Sequence, residues 1–221
     1  MVDPNGVRAL MELLATAPAA GIFEGLFYPS QVRGIAETAG LVVEKTPTLE
    51  DLARELLSQR RTTSGGAHEH LEEPGESVPR EPEPWESNVC PAPGDSDILP
   101  LQQLRDSLAQ ILNASLEDQA RRRQVALLSV EFELFPCIDH EGRHAIRSRR
   151  GDPAARIAAV LVPAVAALVV DGQLGRVRRC AAPVCGLPFL DRSQDGRGRF
   201  CSSSCSSRAR ARRRRERLYG G

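Results

Sequence analysis

The stretch Arg179-Cys180-Ala181-Ala182-Pro183-Val184-Cys185-Gly186, answered by Phe200-Cys201-Ser202-Ser203-Ser204-Cys205, decides how the C-terminal end of this chain folds. Two close-spaced cysteine pairs can supply four soft ligands to one tetrahedral Zn²⁺. The first pair suits a β-knuckle and the second the first turn of a helix. Between them Phe189-Leu190 reads as a short strand, Asp195-Gly196 is a hairpin turn signal, and Arg199-Phe200 leads into the second pair. Knuckle, hairpin and ligand-bearing helix in that order predict a treble-clef zinc finger. An iron–sulfur cluster also accepts four thiolates, and disulfides or four unrelated structural cysteines would use the same residues. The opening Met1-Val2-Asp3-Pro4 lacks a charged-then-apolar signal segment, which points to a reducing compartment and away from disulfides. Cys90, in a polar linker, and Cys137, in an apolar run, have no ligand-spaced neighbours and read as bystanders.

Outward from the cysteines, charge is the next signal. The 221 residues carry 29 basic and 29 acidic side chains, a formal net charge of zero. That balance hides an asymmetry. Residues 176–217 hold thirteen arginines against Asp191, Asp195 and Glu216, a net of about +10. Four thiolates and one Zn²⁺ would reduce this to about +8. The remainder of the chain is correspondingly acidic, so one end is suited to meet an anion. A hydrophobic fraction of 41% supports a real core, and an aromatic fraction of 4% makes that core aliphatic. The longest apolar stretch, Ile157 to Val170, is shorter than the roughly twenty residues a bilayer span needs and contains Pro163. It reads as a buried helix, and the expected location is cytoplasmic with no membrane partner.

Residues 1–175 are expected to form a mostly helical α+β domain with one small β-hairpin, and 176–221 the finger. Asp3-Pro4 caps a helix carrying Val7, Leu10, Met11 and Leu14. Phe23 to Tyr28 is an irregular aromatic patch, and Ser30 can cap a short helix that Gly40 ends. Thr48 and Asp51 resemble a capping box ahead of Leu49, Leu52, Ala53, Leu56 and Leu57. From about 62 to 97 the composition turns to Pro, Glu, Gly and Ser, a solvated acidic insert with Trp85 as its one large apolar residue. Leu101, Leu104, Leu108, Ile111 and Leu112 share a helical face, and Ser115 to Ala126 is a further helix. Val130, Phe132 and Leu134 alternate with Glu131 and Glu133, predicting a half-buried strand. Asp139-His140-Glu141-Gly142 is a turn, and Ala145-Ile146 the returning strand. Asp152-Pro153 caps the last long helix of this region, which Asp171-Gly172 stops.

Catalysis is not expected. His68 and His70 fall in the insert, His140 and His144 flank a turn with no third ligand, and Glu131 and Glu133 lie on an outward face. There is no phosphate-binding glycine loop, nucleophile elbow or His-Glu metal motif. The arginine tail is the stronger functional signal. On a helix beginning near Ser202, Cys205 points at the metal and Ala209 packs against the knuckle. Arg208, Arg212 and Arg215 then form one stripe, with Arg210, Arg213, Arg214 and Arg217 covering the rest. A helix basic all round cannot be stabilised by its own salt bridges, and guanidinium groups match phosphate oxygens in bidentate geometry. Duplex DNA is the favoured partner. RNA is second, because only Phe189, Phe200 and Tyr219 could stack on bases. A zinc-stabilised adaptor for acidic proteins is the third reading.

From Arg178 onward the chain resembles the CGNR-type zinc finger that closes the ABATE family of bacterial proteins, described as stress-induced transcription regulators. The likeness rests on Arg179 to Gly186, Phe189-Leu190-Asp191, the Asp195-Gly196 turn, Phe200-Cys201-Ser202, and Cys205 with Arg208 and Ala209. It implies that Cys180, Cys185, Cys201 and Cys205 are the ligands of one structural Zn²⁺. Ser206 and Ser207 stand where the family usually has Gly-Asn, so no base-specific role of that pair carries over. Upstream, Phe23 to Leu41 and Leu101 to Gly172 look like the family's alanine-rich N-terminal domain. The resemblance thus implies a DNA-binding transcription regulator whose helical domain senses a signal or forms a homodimer.

Overall fold

In the computed structural model the described residues are 3–17, 26, 28–45, 48, 51, 54, 89–113, 115–139 and 141–219. Among these residues the chain is mainly helical, with three two-stranded sheets. Its elements in order are α1 (Pro4–Ala15), α2 (Pro29–Thr38), β1 (Val42–Val43), β2 (Val89–Cys90), α3 (Ile98–Ile111), α4 (Asp118–Glu131), β3 (Leu134–Ile138) and β4 (His144–Ser148). α5 (Pro153–Val170), β5 (Val177–Arg179), β6 (Pro188–Leu190) and α6 (Ser203–Tyr219) follow.

α5 is the hub of the body. Asp152 caps it by accepting the Ala155 N–H at 3.0 Å, and α1, α2, α3, α4 and β4 all pack around it. It is the one described helix long and apolar enough to cross a membrane, and 67% of that apolar window is buried inside the fold, as the core role requires. α1 begins as the sequence predicts, with Asp3 accepting from the N–H groups of Asn5 and Gly6. Val7, Leu10, Leu13 and Leu14 then face the core. Gly6 sets the crossing of α1 over α5. A Cβ there would stand 2.9 Å from Asp3 Oδ2, 3.1 Å from Ala164 Cβ and 3.2 Å from the Val160 carbonyl oxygen, so a larger residue would make the cap or the helix contact give way.

Arg121 of α4 is buried, and its guanidinium donates to the carbonyls of Ile111, Asn113 and Leu116 at 2.8–2.9 Å. It thereby satisfies carbonyls at and just beyond the end of α3 that have no helical partner. Ser148 does comparable work on the hairpin, where its hydroxyl donates to the Phe132 carbonyl at 2.6 Å.

Several expectations need correction. The strand read from Val130 does not start there: α4 continues to Glu131, and the chain reverses through Glu133 at φ 49 before β3. Phe132 is 2% exposed while Val130 is 75% exposed, so the two do not share a buried face. Phe132 instead falls one helical turn after Leu128, and both are buried. α2 starts one residue before Ser30, at Pro29, with Tyr28 as its N-cap and Gln31 Oε1 accepting the Tyr28 N–H. Cys90 is no linker residue: it is fully buried in the core and pairs in parallel with Val43. The reciprocal Thr48–Asp51 hydrogen bonds of the expected capping box are present. Phe23, the stripe Leu49, Leu52, Ala53, Leu56 and Leu57, His68, His70, Trp85 and His140 lie outside the described residues.

The finger does not stand apart from the body. β6 lies along α1, and Val177 and Leu190 of the β5–β6 hairpin pack against the same core as the helices.

Candidate metal centre

β5 and β6 run antiparallel with Val177 opposite Leu190 and Arg179 opposite Pro188, and the loop joining them is the first cysteine knuckle. Strand pairing here differs from the sequence reading. Phe189-Leu190 does form a strand, but it pairs backward with Val177–Arg179, and Arg199-Phe200 has no strand conformation. Asp191 explains why. Its carboxylate accepts the N–H of Ser193 at 3.0 Å and of Gly198 at 2.7 Å, so the 191–198 loop closes on a side chain and not on a strand ladder. Arg176 braces the same loop by donating to the carbonyls of Asp191 and Ser193. Neither residue was singled out for this role in the sequence, although an Asp-x-Ser step is a recognisable turn former.

The knuckle places Cys180 and Cys185. Cys180 N–H donates to the Leu187 carbonyl, and Cys185 N–H to the Ala182 carbonyl at 3.1 Å. The second bond closes a tight turn with Pro183 and Val184 at its centre. Ala181 N–H donates to the Arg199 carbonyl at 2.8 Å, which ties the knuckle to the approach of the second pair. Ser202 caps α6, its hydroxyl accepting the Cys205 N–H, and so fixes Cys205 in the first turn.

The four sulfurs converge, every pair lying within 4.8 Å. Cys185–Cys201 is 3.7 Å, Cys201–Cys205 3.6 Å and Cys205–Cys185 3.7 Å. A tetrahedron of sulfurs about 2.3 Å from a central Zn²⁺ has an edge of about 3.8 Å. The cluster therefore fits one ion. The same separations exclude disulfides, whose sulfurs sit about 2.0 Å apart. A multi-iron cluster would hold the two pairs apart by its own width. Four thiolates close the coordination sphere, so this is a structural Zn²⁺ site with no position left for a substrate.

Protonation points the same way. The Ser202 hydroxyl is the main influence holding the Cys205 thiol down to about 7, while burial and the neighbouring sulfurs push Cys201 up to about 12. Four such thiols cannot all ionise together unless a cation compensates them. Arg208 contributes from outside the sphere, its Nη2 donating to Cys205 Sγ at 3.3 Å. Cys201 N–H points at Cys180 Sγ at 3.4 Å. Cys137 lies in β3 and is not one of the four converging cysteines.

α6 grows directly out of this centre. Cys205 and Ala209, one turn apart, are its two buried positions and pack in the cluster with Cys180 and Ala182. Arg208, Arg210, Arg212, Arg213, Arg214, Arg215 and Arg217 are all exposed on it. The expectation that no internal salt bridge supports this helix is corrected at one point: Arg212 Nε pairs with Glu216 at 2.7 Å. Arg213, Arg214, Arg215 and Arg217 have no ion-pair partner among the described residues. A groove of about 360 Å³ separates the knuckle from α6, with Pro183 on one wall and Arg208, Ala211, Arg212, Arg215 and Glu216 on the other.

The knuckle turn carries an anomaly. With Pro183 at its second position, a type II turn requires positive φ at the third, where glycine or asparagine normally sits. Val184 occupies that position at φ 69. Holding a β-branched side chain there costs about 1–2 kcal/mol.

Residues 176–218 match the family model of the CGNR zinc finger. No curated protein matches the chain.

Proposed function

We propose that this is a DNA-binding protein in which a treble-clef finger, held by its Zn²⁺, lays an arginine-rich helix along a duplex backbone. One observation carries the reading. The helix that donates Cys205 to the metal is the same helix that exposes seven arginines, so the ion fixes the root of a cationic rod. Such a helix repels itself in water and gains from phosphates, which guanidinium forks match in geometry. Phe189 and Phe200 pack against the cysteine cluster, which removes them as base-stacking platforms and favours duplex DNA over single-stranded RNA. On this reading the helical body senses a signal or dimerises, the protein regulates transcription in the cytoplasm, and no catalysis is involved.

Anisotropy titration of the whole protein against a duplex at several salt concentrations tests it. If about five arginines engage phosphates, log affinity falls against log salt with a slope near roughly −4.5. Replacing Arg212, Arg213, Arg214 and Arg215 together by Ala should weaken binding to every sequence alike and flatten that slope. A salt-independent affinity removes the phosphate-contact reading. Binding that favours RNA, or an acidic protein that survives nuclease treatment, assigns the helix to one of those partners instead.

A further inference from the structure

The tip of the cysteine knuckle holds a side chain that nothing inside the protein explains. Val184 is completely exposed, at 106% of its reference area, so it contributes no packing to the finger. Being apolar, it forms no hydrogen bond. Its backbone sits at φ 69, where glycine or asparagine would rest without strain. A branched side chain held in a disfavoured conformation, with no internal contact to offset it, has its use outside the molecule.

The surroundings say what it meets. Pro183, its neighbour in the turn, forms one wall of the groove whose other wall is the stripe Arg208, Arg212 and Arg215. Val184 follows Pro183 directly in the turn, so its exposed side chain stands one residue from that cationic groove. On a duplex, phosphates border a groove floored by base edges, and the apolar feature on that floor is the thymine C5-methyl of the major groove. A small branched aliphatic side chain is chemically matched to that methyl group. Arginines on phosphate supply affinity without sequence choice, whereas an apolar contact with a base edge supplies choice.

We propose that Val184 is the base-reading contact of the finger, packing against thymine methyl groups in the major groove while Arg208, Arg212 and Arg215 hold the flanking phosphates. This rests on the DNA reading above and adds a specificity determinant to it.

The test uses the full chain with zinc bound. A preferred duplex is first selected from a randomised library, and its thymines are then replaced one at a time by uracil, which deletes only the methyl. Wild type should lose about three- to tenfold in affinity at one or two of these positions. Val184→Gly and Val184→Asn, both at ease with positive φ, should keep full zinc content, unfold at the same or a higher temperature, retain the salt slope, and become indifferent to uracil. If wild type binds duplex DNA but uracil changes nothing, or the variants respond to uracil as wild type does, the inference falls and the DNA reading stands. If both variants lose zinc, the side chain has an internal role and the inference falls. If wild type binds no duplex at all, the DNA reading fails and takes this with it.

Discussion

Gly198 N–H donates to Asp191 Oδ2 at 2.7 Å, and this bond closes the 191–198 loop that lies between the two cysteine pairs. A Cβ on residue 198 would run into the Asp191 carboxylate. Gly198→Ala is therefore expected to cost about 1–3 kcal/mol of finger stability by overpacking. The check is thermal unfolding together with the rate of zinc release to a chelator. Ser193, through its hydroxyl first and its N–H second, holds the Asp191 carboxyl below its ordinary value of 3.8. The sign follows from that direction: the loop's contribution is fully present above pH 3.8 and lost only as pH falls through the depressed value. Zinc loss seen at milder acidity thus belongs to thiolate protonation, not to titration of this loop; Asp191→Asn, which keeps only one of the two acceptors, should loosen the loop and speed zinc release at every pH above 3.8 alike.

Arg208 Nη2 donates to Cys205 Sγ at 3.3 Å, so one arm of its guanidinium supports a metal ligand. Arg208→Ala should lower zinc affinity about tenfold or more, as loss of outer-sphere partners does elsewhere. Competition with a chromophoric chelator measures it. Arg215→Ala, equally cationic and farther along the helix, should leave zinc affinity unchanged.

Glu216 occupies Arg212 and would compete with a phosphate for it. Glu216→Gln should therefore raise duplex affinity by about two- to fivefold and steepen the salt slope by about 0.9, the increment of one further phosphate contact. Affinity unchanged across the salt series would show that Arg212 stays clear of the backbone.

Burial pushes the Cys90 thiol from 9.0 up to about 11. The folded protein therefore holds this proton when the unfolded chain has lost it. The resulting stability is complete below pH 9.0 and is lost as pH rises toward 11. Denaturant midpoints measured from pH 8 to 11 should fall across that window, and less steeply in Cys90→Ala. At pH 8 a thiol reagent should leave Cys90 unmodified in the native protein.

The parts legible in the sequence were those with local chemical signatures. Asp3 and Asp152 cap the helices they announced, and the spacing of Cys180, Cys185, Cys201 and Cys205 located the four sulfurs that converge. What escaped was set by partners distant in sequence. Cys90 owes its burial to pairing with Val43, which nothing in its own polar neighbourhood signals. Arg121 looks like any surface arginine until the end of α3 and the turn after it supply three carbonyls. The alternation of Val130, Phe132 and Leu134 was too short to separate a strand from the end of a helix: the helix took Val130, and Phe132 became its C-cap. The β5–β6 pairing was missed because Asp191 satisfies the loop that a second hairpin would otherwise have closed.

Val177 and Leu190 belong at once to the knuckle's hairpin and to the helical core. Ion occupancy at one end of the molecule is thereby wired to the integrity of the other. A chain stripped of its metal would bare a greasy scar along α1, a ready handle for chaperones and proteases, so zinc scarcity would be read out as a fall in the protein's lifetime.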